Sequence, residues 1–226
     1  KPKYVGDPIN AVKIFNEKKV DELILLDIDA SKNKKPPDLK KLKIIANESR
    51  MPLTYGGGIR TIEQARNIIS LGYEKISISN YALENPEIIR DISNEIGSQS
   101  VVVTIDYKSN FIKNGYNIFT INGNKRNKVN IFEFSKRAEE LGAGEILFNS
   151  IERDGTMTGY DLKFAKEIRN TVNTQISFIG GAKDVLDMQN LISSLGIVGA
   201  AAGSMFVFKG RFKAVLLNYQ KPERLN

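Results

Sequence analysis

A parallel (β/α)8 barrel of the TIM type is the fold this sequence predicts, and three observations predict it. Short β-rich runs alternate with longer amphipathic stretches, as in repeated βα units. Glycine-rich turns follow several of those runs. One strand–turn–helix segment occurs twice, so the barrel divides into two half-barrel repeats.

The strand-like runs are Glu22–Asp27, Leu53–Tyr55, Lys75–Ile78, Ser100–Ile105, Glu145–Asn149, Ile176–Ile179 and Val198–Ala201. Helical periodicity marks Asp7–Lys18, Leu39–Glu48, Ile62–Leu71, Glu87–Ile96, Ile131–Leu141, Asp161–Thr171, Val185–Leu195 and a closing Lys213–Tyr219. Seven strands thus face eight helices. Because the loop-like Lys1-Pro2-Lys3 leads directly into a helix, the first strand is expected upstream of these residues, and a barrel could not close without it.

The repeat pairs Pro52-Leu-Thr-Tyr-Gly-Gly-Gly-Ile-Arg with Ile176-Ser-Phe-Ile-Gly-Gly-Ala-Lys, each followed by a helix and Leu-Gly, at an offset of about 120 residues. Two related half-barrels should carry two related sites. Between Ile105 and Phe132 the helical pattern gives way to alternating residues around Asn114-Gly115 and Asn122-Gly123, a hairpin signal. Following a strand, that insertion should overhang the face where barrel sites form.

The 226 residues, 41% hydrophobic, suffice for one domain over 1–226. Histidine and cysteine are both absent, which excludes imidazole acid–base chemistry, thiol nucleophiles, disulfides and the common zinc ligand sets; no metal site and no cofactor are expected. A formal charge of +7 suits a phosphorylated or acidic ligand, but the lysines are scattered, which argues against nucleic acid. The longest apolar runs fall far below the ~20 residues of a spanning helix, so a cytoplasmic protein is expected.

Gly56-Gly57-Gly58 and Gly180-Gly181 each stand between a strand and a helix, where backbone N–H groups can approach an anion. A tight turn without ligand is the plainer interpretation of either alone, and their duplication favours phosphate. Gly203-Ser204 and Asp154-Gly155-Thr156 add donors. Asp27 and Asp106 end strands at the expected mouth, where each could serve a ligand or merely cap a helix. Glu133 opens the helix after the insertion, a favourable place for an acid in any case. At the opposite end Glu22, Lys75 and Glu145 each begin a strand; a structural ion-pair plug is the ordinary interpretation.

Through Gly6-Asp7-Pro8, Leu26-Asp27-Ile, Gly56-Gly-Gly-Ile, Glu84-Asn-Pro, Ile105-Asp106, Gly142-Ala-Gly-Glu-Ile-Leu, Arg153-Asp-Gly-Thr and Gly159-Tyr-Asp, the chain resembles the HisF family, the cyclase subunit of imidazole glycerol phosphate synthase. The resemblance implies a barrel that receives ammonia along its axis from a HisH-type glutaminase in a heterodimer. It then cyclises and cleaves a bis-phosphorylated, sugar-like ribotide. By the same resemblance Gly58, Ser79 and Asn80 fall on one phosphate site, and Asp154, Gly155, Gly181, Gly203 and Ser204 on the other. Glu22, Lys75 and Glu145 match an ammonia gate, Glu74 and Gln99 the glutaminase-facing floor. Asp27 and Asp106 would orient the ligand.

The sequence also departs from the family pattern. The first catalytic aspartate belongs to the strand that is not seen, and Glu133 aligns with the second. Ser79 replaces an asparagine and Ile179 a small polar residue. The opening residues resemble HisF paralogues of surface-polysaccharide sugar amidation, which implies an alternative role, that of passing ammonia to a separate, third amidotransferase.

Overall fold

A computed structural model describes residues 3–33, 35–110 and 115–222. After helix α1 (Pro8–Glu17) come β1 (Leu23–Leu26), α2 (Ala30–Asn33), α3 (Leu39–Glu48), β2 (Leu53–Gly56), α4 (Ile62–Ser70), β3 (Lys75–Ile78), α5 (Asn80–Glu84) and α6 (Glu87–Ile96). A 3-10 turn at Ser98–Ser100 then leads into β4 (Val101–Asn110), β5 (Gly115–Thr120), β6 (Lys125–Arg126), α7 (Ile131–Glu140) and β7 (Glu145–Ser150). The chain ends with α8 (Leu162–Arg169), β8 (Gln175–Ile179), α9 (Val185–Leu195), β9 (Gly199–Ala200), α10 (Ser204–Val207) and the strands β10 (Phe208–Lys209) and β11 (Ala214–Val215).

Helix starts follow from local chemistry. Asp7, Asp38, Asn130, Asp161 and Asp184 each accept a backbone N–H of the helix they open, and Thr61 with Gln64 forms a reciprocal capping box. Each cap fixes where a βα loop ends and so how far it can reach over the sheet.

Seven strands run parallel in the order β1-β2-β3-β4-β7-β8-β9, a curled sheet with helices outside it, as a TIM barrel requires. Strands β5 and β6 are antiparallel additions to the far end of β4. The expected hairpin is therefore present; Asn114 of its first turn lies outside the described residues, as do Lys1 and Pro2, while Asn122 and Gly123 adopt the positive φ that the second turn needs.

The core lies between sheet and helices. Tyr107, Phe148 and Phe178 pack around Phe164 of α8 with ring centroids 4.0, 5.2 and 6.4 Å away. Removing such a ring costs roughly 3–5 kcal/mol, because the surrounding core cannot collapse into the space.

One feature differs from the sequence expectation, and a second agrees with the first strand not being seen. Lys213–Tyr219 is not a helix: Phe208 pairs with Val215 and Lys209 with Ala214, forming a small hairpin whose turn uses Gly210 and Lys213 at positive φ. Strands β1 and β9 also have no partner on their outer edges among the described residues, and between them opens a cavity of about 700 Å³. Phe15, Leu23, Ile24, Ile179 and Val198 line it, with Glu22 and Glu145 at one end.

Candidate functional site

Parallel strands bring all their carboxyl ends to one face, so the turns after β2, β3, β8 and β9 meet at a common mouth. Gly58 has φ +69°, and a side-chain carbon there would fall 2.2 Å from the Lys35 carbonyl oxygen. Gly181 has φ +98°, and the same carbon would fall 2.3 Å from the Gly159 carbonyl oxygen. Both turns therefore demand glycine twice over, for conformation and for space. In each half-barrel the second glycine is pressed against the loop that follows a neighbouring strand, a three-dimensional counterpart of the sequence repeat.

Around Gly181 the loops converge. Asp154, Gly155, Gly181, Gly203 and Ser204 line one small cavity, together with Gly180 and Ala202. The backbone N–H of Gly159 donates to the Gly181 carbonyl at 2.7 Å, and an Arg153 guanidinium N–H donates to Gly159, so the loop is tied down from behind. The turn after β3, the strand paired with β2, carries Ser79, which precedes α5, and Asn80, its first residue. The Ser79 hydroxyl is buried, makes no cap bond to α5 and has no hydrogen-bond partner among the described residues. A buried hydroxyl left unpaired costs about 1–3 kcal/mol, which a ligand oxygen would relieve.

At the centre of the mouth Asp106 accepts a hydrogen bond from the Asn149 side-chain amide at 2.8 Å across β4 and β7. Burial pushes its carboxyl pKa up; the Asn149 bond opposes that shift and the nearby Asp154 charge reinforces it. The result is a carboxyl group biased toward holding a proton, the property a proton-transfer group needs. Asp27 is exposed at the same end and accepts from the N–H groups of Asp29 and Ala30 at 3.2 and 3.1 Å, so its carboxylate caps α2. Glu133 sits exposed on the first turn of α7, in the outer helical layer.

At the other end of the sheet Lys75 donates to Glu22 and to Glu145, both at 2.9 Å. Thr54 donates to the second Glu22 oxygen at 2.5 Å, and Ser177 to the second Glu145 oxygen. Burial disfavours the Lys75 charge, but Glu145 and Glu22 together outweigh it and raise its pKa. These three residues do form one ring. Glu74 and Gln99 are exposed on the same end, at the starts of β3 and β4.

Because side chains alternate along a strand, Lys75 and Ser77 share one face of β3, Thr104 and Asp106 one face of β4, and Glu145 and Asn149 one face of β7. Ser77 and Thr104 are buried and 2.6 Å apart. A polar column thus runs from the ring to Asp106. Asn149 and these hydroxyls were not singled out from the sequence; their only signal there was the two-residue spacing from Glu145, Lys75 and Asp106.

A curled parallel α/β sheet with glycine-bounded turns at its mouth and an ion-paired ring at its floor defines the class of TIM barrels. The family model described as histidine biosynthesis protein matches residues 1–213. A HisF-named protein of Leptospira interrogans is 50% identical over 221 residues, 98% of this chain and 87% of its own length. One of Vibrio vulnificus is 51% identical over 97% of this chain and 85% of its own, and the imidazole glycerol phosphate synthase subunit HisF of Lactococcus lactis subsp. cremoris is 38% identical over 90% and 79%. The chain belongs to the HisF family.

Among the described residues no helix is long and apolar enough to cross a membrane, and no group of three or more acidic residues is arranged to hold a metal ion.

Proposed function

We propose that this protein is the synthase subunit of a glutamine-dependent imidazole glycerol phosphate synthase. It would take ammonia from a HisH-type glutaminase docked at the Glu74 and Gln99 end and join it to a bis-phosphorylated ribotide at the mouth. The observation that carries this is the alignment, on one side of the sheet, of the Glu22–Lys75–Glu145 ring, the buried Ser77–Thr104 pair and the Asp106–Asn149 pair.

Ammonia is small and polar, and a column of hydroxyl groups offers it successive hydrogen-bond partners out of reach of bulk water. The two glycine cradles would hold the terminal phosphates, Gly58, Ser79 and Asn80 on one side and Asp154, Gly155, Gly181, Gly203 and Ser204 on the other. A ligand pinned at both ends spans the mouth with its reacting centre over Asp106, which removes much of the entropic barrier to ring closure. Asp106 would donate and accept the proton; Asp27 would fix the loop that presses on Gly58. Purified protein supplied with ammonium salt and the ribotide should form imidazole glycerol phosphate, and no product at any ammonium concentration would overturn the cyclase reading.

A second reading keeps the ring and column and moves the chemistry elsewhere. With Glu133 on the outer layer, proton transfer at the mouth rests on Asp106 and Asp27, of which Asp27 is already engaged in capping α2. A barrel so equipped could pass ammonia to a third protein, a separate amidotransferase. Glutamine-derived nitrogen appearing in another enzyme's product, with no ribotide cleaved, would favour it.

A further inference from the structure

We infer that Lys213, presented by the β10–β11 hairpin, supplies the cationic group of the second anion cradle; the inference rests on the phosphate reading of that cradle. The cradle's cavity is lined by four glycines, two alanines, Met157, Ser204 and Asp154. Backbone N–H groups and one hydroxyl must there attract an anion against a fixed negative charge, and a positive group is needed to offset it. The Lys213 ammonium donates to the Gly155 carbonyl oxygen at 3.0 Å, which sets it on the cavity rim. Across that rim the Ser204 hydroxyl oxygen lies 3.7 Å from where a side-chain carbon on Gly155 would stand.

Among the described residues no carboxylate forms an ion pair with Lys213, and residues 203–221 contain no acid at all. An ammonium has three donors, and one engaged with a carbonyl leaves two for an incoming oxyanion.

The hairpin also holds the lysine deliberately. Lys213 adopts φ +49°, a region that side chains bearing a β-carbon avoid unless their surroundings impose it. Pairing of Phe208 with Val215 and Lys209 with Ala214 fixes its two arms, and Lys3 clamps it, with its ammonium 4.9 Å from the Phe208 ring and bonded to the Lys213 carbonyl. Had residues 213–219 formed a helix, this amine would not be tied to the cradle by a turn.

The test follows amide resonances of 15N-labelled protein during titration with inorganic phosphate, Gly155 and Gly181 reporting the second cradle and Gly58 the first. Lys213→Met should weaken the response of Gly155 and Gly181 by about tenfold, the scale of one charge-assisted hydrogen bond, and leave Gly58 as it was. Lys213→Arg should stay within about threefold of the parent, and Lys209→Met, a hairpin cation away from the rim, should match it. Added salt should weaken phosphate binding more steeply in the parent than in Lys213→Met, a difference that a purely structural role would not produce. Unchanged Gly155 and Gly181 titrations in Lys213→Met, with the parent responding normally, would overturn the inference and leave the phosphate reading intact. If neither cradle of the parent protein responds to phosphate, the reading itself fails and the role of Lys213 falls with it.

Discussion

The floor and the mouth of this barrel are built from the same kinds of residue and end in opposite states. In the floor ring every charge is answered: Lys75 bonds two glutamates, and Thr54 and Ser177 take the remaining carboxylate oxygens. At the mouth Ser79 has a buried hydroxyl with no partner among the described residues, and Asp106 is held in surroundings that disfavour its charge. A satisfied polar network rigidifies, whereas an unsatisfied one stores free energy that a ligand can release. The contrast supports the proposed division, with binding and chemistry at the mouth and gating or stability at the floor.

The sharpest break of that contrast is Asp106→Asn. It should lower ammonia-dependent product formation by roughly 10²–10⁴-fold, the range for loss of a proton-transfer group. It should also stabilise the protein near neutral pH. Because burial raises the Asp106 pKa, the folded state binds a proton more readily than the unfolded one. Stability from this group is therefore present at low pH and lost as pH rises from the ordinary carboxylate range through the raised value. Thermal unfolding of parent and variant between pH 4 and pH 8 reads that difference directly, and a constant gap across the range would remove Asp106 from the account.

Lys75→Ala attacks the other end. It leaves Glu22 and Glu145 facing each other without the intervening cation, at a cost of roughly 1–3 kcal/mol in denaturant unfolding, below the fully buried case because water reaches all three groups. With a glutaminase present, the ratio of product formed to glutamine hydrolysed should fall by about tenfold; an unchanged ratio would make the ring a plug and nothing more.

Gly181→Ala should weaken phosphate binding at the second cradle by about tenfold, since the added carbon meets the Gly159 carbonyl and forces the loop to move. Ser79→Ala should weaken phosphate binding at the first cradle by only about two- to fivefold while leaving stability unchanged or slightly higher, because a buried hydroxyl with no partner is removed. The smallest effect belongs to Glu133→Gln, whose ammonia-dependent rate should stay within about twofold of the parent if the outer layer is indeed uninvolved.

Strand and helix periodicity located the barrel well: the run at Glu22–Asp27 became β1 at Leu23–Leu26, and Val185–Leu195 matched without change. The glycine pairs were legible because their demand for positive φ is local. What escaped depends on register. Ser77 and Thr104 carry no sequence signal of partnership, since only the parallel pairing of β3 with β4 sets them side by side. Glu133 was placed by resemblance alone, and the structure sets it exposed on the first turn of α7. The closing helix misled because Ala214 to Leu216 is an apolar run too short for periodicity to separate helix from strand, and Gly210 and Lys213 turned it back onto Phe208.

The open side between β1 and β9 has a consequence for closure. A strand entering there would pair with the outer edges of both and cover Leu23, Ile24 and Val198, which line the cavity between them, and so would complete the cylinder beside Glu22 and Glu145.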